Sequence, residues 1–405
     1  MDYDRLLDGC CEVGLQLLHF GGEIPRAEDT VRRLLAAYGL EGEVFALPNC
    51  IWASAAAPDG RTHTRMRRVP APSTSIEGIE RFNDLSRRLC AQPPDDPAVI
   101  LAQCRATLAD MREYPVPVRL SGYFVGAFFF ALFFSAGWAD AAAAGLAGLA
   151  AGACLVVLDR LRANAFISTL VSALALGAVG YGLLALGAPL NIEITIAGGL
   201  MVLVPGLVFT SFMSDLFTGD MLSGLATFAR AVLSAGAIAV GTGAAMAAYH
   251  RLLLSPGTSY MVDYAPPVVC LFAFLGCLGF CPSMNAQGLG ALLCCLGGAL
   301  GWAVYLAAEA AGGTVFTATL TAAIAVAAYS EVMARVRKCP ATSYLLISMF
   351  PLVPGLSIYR AMAYGIWGYT DQFWDTLFRT MGISGCIALG LLLVSSAVHV
   401  WQRRR

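Results

Sequence analysis

Charge is what this chain has least of. Asp, Glu, Lys and Arg make up 13% of its 405 residues, where soluble proteins carry about a quarter. A net charge of −1 leaves no basic excess, which excludes a nucleic-acid partner. His19, His63, Cys10, Cys11 and Cys50 are not spaced as a metal site, and no nucleophile elbow is present, so neither a cofactor nor an enzyme activity is expected. The opening Met1-Asp2-Tyr3-Asp4 is acidic and no early apolar region follows, so no signal peptide is expected. Disulfides are not expected either. Most of the 13 cysteines, Cys270, Cys277, Cys294 and Cys295 among them, sit inside apolar runs, where buried free thiols are the usual state.

What is abundant is apolar surface: 58% of residues are hydrophobic and mean hydropathy is +0.68. The charges are unevenly spread. Residues 1–115 hold 30 of the 53, leaving 23 for the other 290, so a soluble domain is expected to precede a membrane domain. Within 1–115, Leu6, Leu7, Val13, Leu17 and Leu18 follow helical spacing, and a second helix over 28–38 stops at Gly39. Strands are expected over 44–47, 51–55 and 62–69, the last two joined by Pro58-Asp59-Gly60, with helices again over 75–90 and 97–112. This describes a small α+β domain. Arg65-Met66-Arg67-Arg68 could contact lipid head groups or an acidic partner, but its alternate positions on a strand favour one solvated face.

Apolar runs of membrane-spanning length fall at 117–137, 139–159, 164–186, 192–214, 221–249, 265–282, 286–308, 313–333, 343–366 and 376–401. Ten spans put both termini on one side. Arg160, Arg162, Arg335, Arg337, Lys338 and Arg403–Arg405 all follow even-numbered spans, while the opposite loops carry Asp140, Glu193, Asp263, Glu309, Asp371 and Asp375 with Arg251 as their one basic residue. The positive-inside rule therefore predicts cytoplasmic termini.

Two of these runs share an oddity. Leu203-Val204-Pro205-Gly206 recurs as Leu352-Val353-Pro354-Gly355, an offset of 149, and Phe166 in its surroundings matches Phe316 at an offset of 150. Proline removes a backbone donor and clashes with the preceding turn, so each copy should break a helix within the membrane, which is tolerated where protein lines a cavity. Five spans per half make the halves enter in opposite senses. The expected architecture is an α-helical polytopic membrane protein with a 5+5 inverted repeat: domain 1–115, then repeats 116–250 and 251–405. Such repeats with facing broken helices are a transporter architecture.

The stretch from Leu203-Val204-Pro205-Gly206 through Asp215 to Gly219-Asp220-Met221-Leu222-Ser223-Gly224-Leu225, and Leu352-Val353-Pro354-Gly355 with Tyr359-Arg360, resemble the signatures of the bacterial threonine/serine exporter family. Ala27–Arg33, Thr64–Pro70 and Asn83–Arg88 are similar to its N-terminal segment. The resemblance covers nearly the whole chain. It implies proton-linked export of small hydroxylated amino acids across a bacterial inner membrane. Related two-subunit members are associated with succinate, so a small organic acid is the alternative substrate. Arg230 is a departure, since the family tends to be acidic in the fifth span.

Half-helices that begin after a break offer free N–H groups to a carboxylate. Pro205, Gly206, Pro354 and Gly355 are therefore candidate substrate-binding positions, joined by Thr210 and Ser211 within two turns of the first break. Tyr359 and Arg360 follow the second. Arg360 lies six residues on, about 9 Å along a helix, where a membrane-embedded charge needs a use. A substrate carboxylate would supply one, and extension of the side chain to the outer interface is the equal alternative. Asp215 and Asp220 are the candidates for proton coupling. The expected partners are the substrate, protons and the lipid bilayer, and the sequence leaves room for a homo-oligomer. A soluble-domain hydrolase and a receptor-like scaffold without flux are the competing classes.

Overall fold

The structure is a computed structural model that describes all residues except 59, 71–72, 204–205, 220, 253–259 and 404–405, with a few helical positions, Thr210 among them, described by backbone alone. It divides into two compact units.

The first unit comprises Met1–Glu113 together with Met284–Gln287 and Met333–Ser343. Its elements are α1 (Tyr3–His19), α2 (Ile24–Ala37), β1 (Gly42–Leu47), β2 (Cys50–Ala56), β3 (Thr62–Arg68), α3 (Ile76–Ala91) and α4 (Ala98–Ala109). Asp2 caps α1 by accepting the Arg5 N–H at 3.1 Å, and Ser75 caps α3 by accepting that of Gly78 at 3.2 Å. After α2, Gly39 takes φ +74, the left-handed value that ends a helix at little cost to glycine. The strands form an antiparallel meander in the order β1-β2-β3, with Val44 opposite Ala53 and Ala53 opposite Arg65. One sheet face buries Val44, Ala46, Ile51, Ala53 and Ala55 in the same core as Leu6, Leu7 and Leu17 of α1 and Leu34 and Leu35 of α2. All 13 cysteines are free. Burial pushes the thiols of Cys11 and Cys104 up to about 12, so neither is a nucleophile.

The basic run on β3 differs from the solvated face expected of it. His63, Arg65 and Arg67 turn toward α1, whose Asp4, Asp8 and Glu12 are spaced one turn apart. His63 Nδ1 lies 2.9 Å from Asp4 Oδ1, Arg65 Nε 2.5 Å and Arg67 3.1 Å from Asp8 Oδ1, and Arg67 also pairs with Glu12. A two-residue strand period matched to a four-residue helix period makes this ladder.

The second unit comprises Tyr114–Ser283, Gly288–Val332 and Tyr344–Arg405. Its elements among the described residues are all helices: α5 (Val116–Phe133), α6 (Trp138–Arg160), α7 (Ala165–Ala185), α8 (Ile192–Leu200), α9 (Gly206–Thr218) and α10 (Met221–Leu252), then α11 (Pro266–Phe280), α12 (Gly288–Ala310), α13 (Val315–Arg337), α14 (Thr342–Ser348), α15 (Gly355–Trp367) and α16 (Thr370–Arg403), with the end of α13 from Met333 and the start of α14 through Ser343 belonging to the first unit. Among the described residues, seven of these helices (α5, α6, α7, α10, α12, α13 and α16) are long and apolar enough to cross a membrane. The other expected spans are shorter pieces. α11 has 15 residues, and the runs 192–214 and 343–366 are each divided, into α8 and α9 and into α14 and α15.

The helix starts recur with a constant offset. Residues 116, 138, 165 and 192 reappear 150 positions later at 266, 288, 315 and 342, and 206 and 221 reappear 149 positions later at 355 and 370. The single missing residue falls at the break, between the start of α14 and that of α15. Left-handed backbone recurs with the same offsets: Ser135 with Asn285, Arg162 with Gly312, and Gly219 with Gly368. Packing does too. Gly241 of α10 meets Ala173 of α7, and Gly390 of α16 meets Ala323 of α13, an added Cβ lying 2.9 and 2.8 Å from the facing alanine. Small residues let membrane helices approach closely, because packing rather than hydrophobicity drives their association there.

Candidate functional site

Gly206 and Gly355 each stand where a half-helix begins. α9 starts at Gly206 and α15 at Gly355, with Pro354 as N-cap at φ −79, ψ 49. Between α14 and α15 the chain makes turns, the Leu352 N–H donating to Met349 O at 2.9 Å and that of Gly355 to Val353 O at 2.8 Å. Pro205 and Asp220 lie outside the described residues, and so does the side chain of Thr210.

Each half-helix packs on the last helix of its own series, α9 on α10 and α15 on α16, and also on that of the other. α15 packs on α10, the last helix of the N-terminal series, and α9 packs on α16, the last helix of the C-terminal series. One apolar cluster contains Phe212 of α9, Ala231 and Ala235 of α10 and Ile358 of α15, with Met213, Met362 and Met381 around it. Each break is thus followed by a segment that closes onto the other series.

Tyr359 and Arg360 sit at this junction. The Tyr359 ring packs against the core of the N-terminal series, built from Ala147, Ala173, Leu176, Ile196, Leu200 and Ile238. Its hydroxyl lies 3.5 Å from Thr242 Oγ1 on α10. Arg360, one residue on, points elsewhere and pairs through a terminal guanidinium nitrogen with Glu193 Oε1, in the first turn of α8. Their side chains are 43% and 66% exposed, so the pair is open. Sequence reading counted Glu193 as one more loop acid. Its partner is 167 residues away, and the available signal was a carboxylate a few residues inside the same interrupted run as Pro205-Gly206.

Asp215 lies in α9, and its Oδ2 accepts from Ser223 Oγ at 2.9 Å and from Thr227 Oγ1 at 3.4 Å, both on α10. Ser223 and Thr227 are buried. The left-handed Gly219 between the helices, φ +88, folds them into the hairpin that makes this contact. Ser211 is exposed, and the break residues, Asp215 and Arg360 are not brought into one cluster by any direct hydrogen bond among the described residues. Arg230 is the tenth residue of α10, and Arg379 is the tenth of α16. The departure thus stands at equivalent positions in both series, exposed in each.

A second polar node was not foreseen. Asp140, in the first turn of α6 and fully buried, accepts the N–H of Gly137 at 3.1 Å and that of Asn191 at 2.7 Å. The Asn191 side chain donates to Tyr260 O at 2.8 Å. The Tyr260 hydroxyl is pushed up to about 12, first by its hydrogen bond to Asp140 and then by desolvation. The node fixes the starts of α6 and α8 against the segment before α11. It is a positioning device for the α8 turn that carries Glu193.

Among the described residues, no group of three or more His, Cys, Asp or Glu side chains is arranged to hold a metal ion.

Comparison with known proteins follows the same division of the chain. The family model described as "Putative threonine/serine exporter" matches residues 8–249, and the one described as "Threonine/Serine exporter, ThrE" matches residues 269–397. A protein of Mycobacterium tuberculosis (strain ATCC 25618 / H37Rv) named "Probable threonine/serine exporter" is 27% identical over 214 residues, 49% of this chain and 40% of that protein. The chain thus spans less than half the length of the curated relative it matches. No solved structure matches. With one family model covering more than half of the chain and the second taking in most of the rest, the chain belongs to the threonine/serine exporter family, whose members are membrane exporters and not enzymes.

Proposed function

We propose that this protein is a secondary active exporter of small amino acids such as threonine and serine, driven by exchange for protons across a bacterial inner membrane. Residues 1–115 form a cytoplasmic domain, and 116–250 and 251–405 are two five-span repeats of opposite sense, each with its fourth span broken at Pro-Gly. The observation that carries this reading is the reciprocal packing of α15 on α10 and α9 on α16. Two segments that each lean on the other repeat can trade inward-open for outward-open arrangements about one site. The constant offsets of 150 and 149 between helix starts support the duplication. The first unit supports the topology, because it takes in residues 284–287 and 333–343 along with the N-terminal domain. Those segments follow the sixth and eighth spans, on the side of Arg335, Arg337 and Lys338.

Efflux of radiolabelled threonine from proteoliposomes holding the purified protein tests the reading. Flux should be driven by an opposed proton gradient and stopped by a protonophore. Flux of succinate with none of threonine would replace the substrate, and no flux of either would remove the transport reading.

A further inference from the structure

We propose that Glu193 and Arg360 are the two arms of a clamp for a zwitterion, Arg360 taking the substrate carboxylate and Glu193 its ammonium group, and that they hold each other when the clamp is empty. The inference rests on the transport reading above and deepens it by naming which charges of the ligand are read and by what.

Four observations lead to it. The pair joins α8, the segment before the first break, to α15, the segment after the second. Among the described residues neither side chain makes another hydrogen bond, so nothing else commits either charge. Both are partly exposed, so a polar ligand can reach them. Each is held from behind: Glu193 by the Asp140–Asn191 node at the start of α8, Arg360 by the seating of Tyr359 in the apolar core. An amino acid presents a carboxylate and an ammonium on adjacent atoms, and can insert between the two side chains by replacing each one's partner with a complementary charge. A dicarboxylate cannot do so, since its second carboxylate would face Glu193.

The test is equilibrium binding of labelled threonine to the purified full-length protein, with two competitors: 3-hydroxybutyrate, which lacks the ammonium, and 1-amino-2-propanol, which lacks the carboxylate. Glu193→Gln should weaken threonine about tenfold or more, the worth of one charge-assisted contact, and not weaken 3-hydroxybutyrate, whose competitor for Arg360 is gone. Arg360→Gln should weaken threonine and 3-hydroxybutyrate and not weaken 1-amino-2-propanol, whose competitor for Glu193 is gone. If Glu193→Gln is not monodisperse on gel filtration, Glu193→Asp carries the test, with threonine weakened and 3-hydroxybutyrate unchanged. A pair that only braces the helices would lose all three ligands alike, and that result overturns the clamp. So does a wild type that binds no amino acid. Binding with the expected pattern but without efflux from proteoliposomes overturns the transport reading and leaves the clamp standing.

Discussion

Asp140 Oδ1 accepts the backbone N–H of Asn191 at 2.7 Å across 51 residues of chain, from a position with no exposure to solvent. Its other oxygen accepts the Gly137 N–H at 3.1 Å, so both carboxylate oxygens are engaged with backbone donors. An amide can reproduce one of these bonds and turns an N–H₂ against the other donor. Asp140→Asn should destabilise the purified protein by about 2 kcal/mol, the cost of leaving a buried donor unpaired. Thermal unfolding in detergent measures it, and an unchanged midpoint would show that water replaces the lost acceptor. Transport in the folded fraction should fall as well, since the node positions the turn that carries Glu193.

Glu80 supplies a pH dependence in the first unit. Burial is the largest influence on its carboxyl and raises its pKa, against the lowering effect of Arg337. A raised carboxyl binds its proton more tightly folded than unfolded. The stability it contributes is therefore present below the unfolded value, about 4.3, and is lost as pH rises through the folded value. Glu80→Gln keeps the shape without the charge. It should raise the unfolding temperature at pH 7, with the gain shrinking toward zero near pH 4. A variant that is less stable than wild type at pH 7 would mean that Arg337 outweighs the burial.

A functional role for the Pro-Gly positions, as against a packing one, is open to a direct test. Pro354 cannot donate within a helix, and Gly355 lets α15 begin where it does. Replacing Pro354-Gly355, or Pro205-Gly206, with Ala-Leu favours a continuous helix and closes the backbone groups at the break. Expression should survive, because the flanking helices keep their apolar contacts, while efflux should drop at least about tenfold, the equivalent of one lost charge-assisted contact. Normal transport in such a variant would make the breaks packing features only.

Local chemistry was legible where one residue type has one use. Gly39 ends α2, Ser75 caps α3, and Pro354-Gly355 opens α15, each as glycine, serine and proline dictate. The strands came within two residues of 42–47, 50–56 and 62–68 because alternation and turn residues agree there. The partner of a charge was another matter. Arg65 and Arg67 obey the same two-residue period whether they face water or α1, and α1's Asp4, Asp8 and Glu12 decide it. Nothing in the neighbourhood of Arg360 names Glu193, since the two meet through the packing of α8 and α15 in three dimensions. The Asp140 node was hidden for the same reason, its members lying 51 and 69 residues apart.

Arg360 pairs with Glu193, and its replacement by lysine separates recognition from charge. Guanidinium offers a planar fork that binds both oxygens of a carboxylate, whereas ammonium is a point donor on a flexible stem. If the positive charge alone mattered, through pairing with Glu193 or by extending to the membrane interface, lysine would serve almost as well. With substrate recognition at stake, Arg360→Lys should raise the apparent KM for threonine about tenfold, one charge-assisted bond's worth, and change the amount of folded protein little. Arg360→Ala should leave almost no efflux, because it removes the carboxylate partner and strands Glu193 without its counter-ion. Initial rates over a range of threonine concentrations, with protein content checked by gel filtration, distinguish the cases. Wild-type kinetics in Arg360→Lys would reduce the residue to a brace between α8 and α15.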